Sequence, residues 1–509
     1  MTSLFLPVLS VFSRVLLAFS PAFLVPLAWA WVLDEQHHAL VWAYGFAATV
    51  TSGWLLWLLT RHHRRELQPR DGFLLVNLVW LLLPAFAAVP LMFTVPDITW
   101  TKAYFEAMSA LTATGATALS GLDDLPVSVN VWRCFLQLVG GLGIMLLVVA
   151  ILPLLGLGGV QLYRAETPGP MKDTKFTPRI AETARGLWGV YVLFAVLCML
   201  AYRWAGMGWA DAFMHMCTTM GLGGFSSYDA SFGHFDSPQI ELVATVFMAL
   251  AGISFVRYFV VLRTRSLRVI TADREIRTYL AVLAVSVLLI TLLLSVHGVE
   301  DDPLQALQTA AFHVVSLATT TGYASTDYAQ WPVFAPVFMM FLGCFASCAG
   351  STGGGIKMVR MVLLVKQARR ELVRIIHPRV VNPVTLGRSV LPPSVMTAVL
   401  GFMLIYGACT MGLTMLLLFS GLDIVTAFSA VVASVSRECS DSGRRPPAER
   451  PRVGRSRRRR PTSSSTGKPR PPQTTSTITT TLTTGSSANR TMLSLRSPKP
   501  ASPSKVPKW

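Results

Sequence analysis

Charge is scarce in this chain. Asp, Glu, Lys and Arg make up 14% of its 509 residues, against 52% hydrophobic, and mean hydropathy is +0.51. Cysteine is equally unhelpful as a framework. Cys134, Cys198, Cys217, Cys344, Cys348 and Cys409 lie singly in apolar segments and read as small core residues. No Cys-x-x-Cys occurs, which argues against a metal site. No catalytic constellation is present either, so the chain does not read as an enzyme. His215 and His313 stand in apolar helical stretches as packing or local hydrogen-bonding residues. The net charge of +18 misleads: residues 437–509 hold 17 Lys and Arg against 3 acids, leaving the body at +4, which is no nucleic-acid-binding surface.

What the chain has in abundance is long apolar runs. About 20 apolar residues cross a bilayer, and backbone inside lipid must satisfy itself, so the expectation is an all-α polytopic membrane protein. Residues 5–32 and 39–60 are two initial spans. Further spans are expected at 73–95, 131–157, 187–202, 240–261, 279–296 and 393–419, with 333–349 beginning another. Basic loops (Arg61, Arg64, Arg65, Arg70; Arg164, Lys172, Lys175, Arg179, Arg185; Arg263, Arg265, Arg268, Arg274, Arg277; Lys366, Arg369, Arg370) alternate with acidic ones (Asp34, Glu35; Asp123, Asp124; Asp229, Asp236; Glu300, Asp301, Asp302). Excess Lys and Arg marks the cytoplasmic side, which places the N-terminus inside and the chain in the cytoplasmic membrane.

One event recurs between the spans. Phe105, Phe213 and Phe312 each precede a glycine (Gly115, Gly223, Gly322) by ten residues, with Ser and Thr clustered between. Each unit is thus an apolar span, a short helix ending in a Gly loop, and a second apolar span. A Gly reaches positive φ readily, so carbonyls at such a loop can be turned inward to replace the water shell of a cation. An ordinary Gly-terminated helix end is the alternative for any single loop.

A second special stretch is Ala349-Gly350-Ser351-Thr352-Gly353-Gly354-Gly355-Ile356-Lys357. Three consecutive glycines break a helix at membrane depth, which is tolerated where backbone lines a cavity or is buried in protein. A phosphate-binding P-loop is excluded, because no Gly-Lys-Ser/Thr ending follows. The run Gly350–Gly355 is expected to obstruct ions below the Gly loops as a gate. Lys357 is expected to snorkel to the inner interface.

The strings Thr-Ala-Thr-Gly-Ala-Thr, Gly-Gly-Phe-Ser, Thr-Thr-Thr-Gly-Tyr-Ala and Ala-Gly-Ser-Thr-Gly-Gly-Gly-Ile-Lys together resemble the TrkH potassium-uptake proteins of the Trk/Ktr/HKT superfamily, over roughly residues 1–435. The resemblance implies four membrane–pore-loop–membrane repeats around a pseudo-fourfold pore, preceded by two extra helices. It implies potassium as the transported ion, no organic cofactor, a homodimer in membrane lipid, and a TrkA-type cytosolic nucleotide-binding partner. Carried over by position, the filter is Ala113, Thr114, Gly115 and Ala116; Gly221, Leu222, Gly223 and Gly224; and Thr320, Thr321, Gly322 and Tyr323. The gate is Gly350, Ser351, Thr352, Gly353, Gly354, Gly355 and Lys357. Expected boundaries are 1–66 for the extra helices, then 67–160, 161–265, 266–380 and a partial fourth repeat at 381–435.

The departure comes in that fourth repeat. Thr426 to Val435 fits a fourth pore helix, but the family's Asn-Asn-x-Gly-Pro-Gly is replaced by Ser436-Arg437-Glu438-Cys439-Ser440, and the last membrane helix is absent. Residues 436–509 read as a disordered basic tail in a changed reading frame. Two other readings stay open: a non-conducting subunit, and an ion-coupled secondary transporter built from inverted repeats and broken helices.

Overall fold

Long apolar stretches with few breakers satisfy their own backbone as helices, and the described residues are mostly helical. The computed structural model describes residues 2–62, 68–151, 176–386 and 389–436. Helices α1 (Thr2–Phe19) and α2 (Leu24–Val32), joined by a single 3-10 turn, make the first span, and α3 (Gln36–Thr60) makes the second. Repeat 1 contains α4 (Pro69–Ala88), the one-turn α5 (Leu91–Thr94), the short α6 (Trp100–Leu111) and the returning α7 (Val127–Ile151). Repeat 2 contains α8 (Phe176–Trp204), the short α9 (Trp209–Gly221), α10 (Pro238–Ala251) and α11 (Phe255–Thr264). Repeat 3 opens with α12 (Arg268–Thr271) and α13 (Arg274–Val296). It continues through the short α14 (Pro303–Ala318) to α15 (Phe334–Gly343) and α16 (Met358–Ile376). The incomplete fourth repeat contributes α17 (Pro393–Phe419) and the short α18 (Ile424–Ser436). Among the described residues the strand content is one antiparallel pairing, Thr385 opposite Val390 and Leu386 opposite Ser389.

The short helices begin where acceptors wait for their free N–H groups. Thr99 caps α6, Asp302 caps α14 ahead of Pro303, and the Asp423 carboxylate accepts from Thr426 N at 3.0 Å. Apolar contact between helices is not driven by water inside a bilayer, so close packing has to hold them. Phe23, Trp42 and Trp132 are buried together, with Phe23 and Trp132 ring centroids 4.5 Å apart, and Trp132 Nε1 donates to Ala87 O at 3.0 Å. This cluster fixes the two extra helices against repeat 1.

Two returning spans are broken. The gap between α15 and α16 falls where the glycine run was expected to break the helix. The other break was not expected: 240–261 reads as one span, yet α10 and α11 meet at 84°. The cause lies in competing donors. Tyr279 Oη donates to Ala249 O (3.0 Å), Tyr258 Oη to Leu250 O (2.9 Å) and Cys348 N to Gly252 O (3.0 Å), so three carbonyls at the break find partners outside the helix. Gly252 is required there, since a Cβ would lie 2.3 Å from Tyr279 Oη. The expected basic loop residues Arg64, Arg65, Arg164, Lys172 and Lys175, and the tail from Arg437, lie outside the described residues.

Candidate cation filter and gate

Three short helices end in the same way. After α6, Ala113 N bonds Ala110 O (3.0 Å) and Thr114 N bonds Ser109 O (2.9 Å). After α9, Leu222 N bonds Thr219 O (3.2 Å) and Gly223 N bonds Thr218 O (3.0 Å). After α14, Thr320 N bonds Leu317 O (3.0 Å) and Thr321 N bonds Ser316 O (2.9 Å). These paired bonds are the Schellman ending, which places a left-handed residue just past the helix. Here that residue is Ala113 (φ 52°), Leu222 (φ 51°) and Thr320 (φ 64°), and two residues on a glycine is again left-handed: Gly115 (φ 81°), Gly224 (φ 74°) and Gly322 (φ 88°).

This register corrects the spacing read from the sequence. Gly224, not Gly223, is the counterpart of Gly115 and Gly322. The second loop therefore aligns as Leu222-Gly223-Gly224-Phe225, one residue later than the expected Gly221–Gly224. Neighbouring side chains explain why the second loop differs in composition. In the first and third loops the threonine hydroxyls pair, Thr112 with Thr114 at 2.7 Å and Thr319 with Thr321 at 2.8 Å. In the second loop Gly221 and Gly223 stand at those positions and α7 fills the space. A Cβ on Gly221 would meet Gln137 O at 2.7 Å, and one on Gly223 would meet the Gln137 carboxamide at 2.5 Å. That carboxamide takes over the bonding: Nε2 donates to Gly223 O (2.9 Å) and Oε1 accepts from Phe225 N (3.2 Å).

The loops touch one another. A Cβ on Gly224 would lie 1.9 Å from Thr321 O, so the second and third loops meet backbone to backbone. The buried Tyr323 Oη donates to His215 O (3.2 Å) and bonds the hydroxyls of Thr218 and Thr219, tying the third loop to α9. Tyr323 O accepts from Ser316 Oγ at 2.8 Å. The carbonyls of Gly223 and Tyr323 thus face protein donors. His215 and His313 are hydrogen-bonding residues: His215 Nδ1 contacts Asp211 O (2.9 Å), and His313 Nδ1 contacts Thr309 O (2.9 Å).

Behind the first two loops lies a pair that the sequence reading missed. Glu106 of α6 and Arg133 of α7 are 0% and 1% exposed, with Nε and Oε1 2.7 Å apart. Glu106 also accepts from Thr117 Oγ1 (3.0 Å) and Ala118 N (2.9 Å), while Arg133 donates to Ser226 O (3.2 Å) and lies over the Phe225 ring. The exits of both loops are therefore held by one buried ion pair. The available signal was an acid in the short apolar α6, which otherwise carries only Lys102, and the single charge of α7.

The glycine run sits directly against the loops. Gly354 N donates to Thr320 Oγ1 (2.9 Å) and Thr352 Oγ1 donates to Met220 O (3.0 Å). On its other side Cys348 N bonds Gly252 O (3.0 Å), Gly350 O accepts from Phe255 N (3.0 Å), and Ala349 N donates to Glu275 Oε1 (2.7 Å). Ser351, Thr352, Gly353 and Gly354 are buried, whereas Gly350 and Gly355 are half-buried. Lys357 departs from expectation. Its ammonium folds back to Gly353 O and to Ser347 Oγ (3.4 Å) instead of extending to the interface, because loop carbonyls offer a partner closer than the headgroups do.

A largely helical membrane chain whose first three repeats each dip a short helix and a glycine loop between two spans is a pore-loop transport protein. The chain belongs to the TrkH family of cation transport proteins, whose sequence profile matches residues 38–436. The Trk system potassium uptake protein TrkH of Salmonella typhimurium is 44% identical over 392 residues, covering 77% of this chain and 81% of that one. Its counterpart in Halomonas elongata is 42% identical over 435 residues, covering 84% and 89%. The crystal structure of the potassium transporter TrkH from Vibrio parahaemolyticus superposes with a TM-score of 0.79 at 38% identity, covering 85% of this chain and 90% of that one.

Proposed function

We propose that this chain is the membrane subunit of a Trk-type potassium uptake system in the cytoplasmic membrane. Backbone carbonyls of three pore loops, those of Gly223 and Tyr323 excepted, hold the dehydrated cation. The observation that carries this reading is the shared left-handed alternation at Ala113/Gly115, Leu222/Gly224 and Thr320/Gly322. Reversing the sign of φ at every second residue turns consecutive carbonyls toward a common side, which is what coordination by backbone requires. The relatives' names support potassium as the cargo. The same-sense repeats favour a pore over an inverted-repeat secondary transporter.

In this reading the Gly350–Gly355 backbone obstructs the path below the loops, and Lys357 holds the obstruction closed by donating to Gly353 O. The basic loops place the N-terminus inside. A TrkA-type nucleotide-binding partner and a homodimer complete the assembly, on the strength of the family likeness. The fourth repeat is the weak point. The family match stops at Ser436, and the sequence continues with Arg437 and Glu438 where a filter glycine belongs. A ring of carbonyls built from four repeats then lacks one contributor, so the chain as written conducts poorly.

Potassium uptake in cells stripped of their own uptake systems tests both halves. The chain as written should rescue growth weakly or not at all at low potassium. A version whose residues beyond 435 are restored from another reading frame, encoding a Gly-Pro-Gly-like loop and an apolar span of about 20 residues, should rescue it. A restored chain that inserts yet carries no potassium would overturn the assignment. Full activity of the chain as written would overturn the reading of the tail.

A further inference from the structure

A groove of about 670 Å³ opens between α13 and α15. Its two ends differ in chemistry. Arg274 and Arg277, both exposed in the first turn of α13, stand at one end. Beyond them the walls are apolar, with Ala281 and Val285 on α13 facing Phe338 and Phe341 on α15. The acids next to these arginines are engaged elsewhere: Asp273 pairs with Arg257 at 2.6 Å, and Glu275 accepts from Ala349 N. A third cation adds to the crowding. The Lys366 ammonium of α16 is lowered below its ordinary range, first by burial and then by Arg274 nearby. Like charges held together beside an apolar channel are stabilised by an anion that carries an apolar tail.

We infer that this groove is a binding site for an anionic phospholipid, its phosphate on Arg274 and Arg277 and one acyl chain lying between α13 and α15. Each part of the site selects against other occupants. Guanidinium groups bind phosphate oxygens in bidentate fashion, which a zwitterionic headgroup answers less well. The apolar walls give a free phosphate nothing to hold, and an extended peptide would carry unpaired backbone into lipid. The far wall runs through Leu342 and Phe345 into the gate loop, where Ile356 N bonds Cys344 O at 2.7 Å. A bound lipid therefore borders the segment that anchors the glycine run.

Native mass spectrometry of the full chain in mild detergent reads the site. With dioleoylphosphatidylglycerol and dioleoylphosphatidylcholine offered in equal amounts, the parent chain should retain the former. Basic residues near an anionic headgroup are each worth about fivefold in affinity, so R274Q/R277Q should lose roughly 25-fold of that preference. A281W fills the groove and leaves both arginines, and it should remove the retained lipid as well. An unchanged preference in the folded double variant would overturn the proposal. So would displacement of the lipid by inorganic phosphate alone, or an A281W chain that loses self-association while keeping its lipid preference, which would give the groove to a second copy. Photolabelling of the unmodified chain with a crosslinking phosphatidylglycerol decides the matter without any variant. Label on α13 and α15 peptides supports the site, and label confined to other helices refutes it.

Discussion

Replacing Glu106 by Gln isolates the ion pair behind the filter loops. The substitution keeps the shape of the side chain and removes its charge, leaving the Arg133 guanidinium desolvated and uncompensated. At 2.7 Å and an effective dielectric of about 20, the lost Coulomb attraction is roughly 6 kcal/mol before solvation is counted. Part of it is recovered, since an amide oxygen at the Oε1 position still accepts from Arg133 and Thr117, while the amide nitrogen that replaces Oε2 leaves the Ala118 N–H without its acceptor. Breaking buried pairs from one side destabilises proteins by about 3–5 kcal/mol, and we expect E106Q near the lower end. Removing both charges should be far milder: E106L/R133M leaves no buried ion, so most of the stability should return. The filter geometry should not return with it, because Thr117, Ala118 and Ser226 lose their shared anchor. Equilibrium unfolding in mixed micelles, followed by tryptophan fluorescence, measures both variants, and potassium-to-sodium discrimination in a chain with a restored fourth repeat measures the loops. An E106Q chain destabilised by less than about 0.5 kcal/mol, the range of an ordinary surface change, would refute the account of the pair.

Three further outcomes follow from the loop geometry. Gly224→Ala should impair insertion or cation discrimination strongly, since its Cβ would lie 1.9 Å from Thr321 O. The same change at Gly206, also left-handed but with open space around it, should cost only about 1 kcal/mol of stability; equal effects in a paired uptake and melting assay would count against the revised register. Gly115→Ser and Gly322→Ser in a restored chain should each lower potassium selectivity, read as the ratio of potassium to sodium uptake. Shortening Gly350–Gly355 should raise unregulated flux in the same restored background, and deletions that insert but add no flux would remove the gate from consideration.

How far the sequence could be read depended on whether each signal was local. The ten-residue step from Phe to Gly exposed the repeats because pore helix and loop are contiguous. It slipped in repeat 2, where two adjacent glycines, Gly223 and Gly224, and a phenylalanine one position early satisfy the same count. Only the sign of φ separates them. The glycine run announced its own helix break. The 84° bend after Ala251 carried no such mark, because the donors that compete for its carbonyls come from Tyr279 and Cys348, distant in sequence. Arg133 was visible as an isolated charge and Glu106 as an acid four residues after Lys102, but their pairing requires two helices to be placed first. Lys357 looked like an interfacial lysine until the carbonyl of Gly353 was found beside its ammonium.

Thr320 occupies two structures at once. Its backbone supplies the left-handed turn of the third loop, and its hydroxyl accepts from Gly354 N of the glycine run. On the proposed reading, a cation that settles the loop around Thr320 also changes how well that hydroxyl is placed for the run, so the two equilibria are linked. Linkage is reciprocal: whatever factor ion occupancy contributes to freeing the run, release of the run by a partner must return to the ion's affinity. If the run is a gate, the five hydrogen bonds from residues 348–354 to Gly252, Phe255, Glu275, Met220 and Thr320, at about 1 kcal/mol each, hold it in this position by about 5 kcal/mol. An element held shut by that much needs about 8 kcal/mol of differential binding to stand almost always open. On the proposed reading, a partner that released the run would need only an ordinary interface to do so, and it would retune the loops' grip on the cation in the same step.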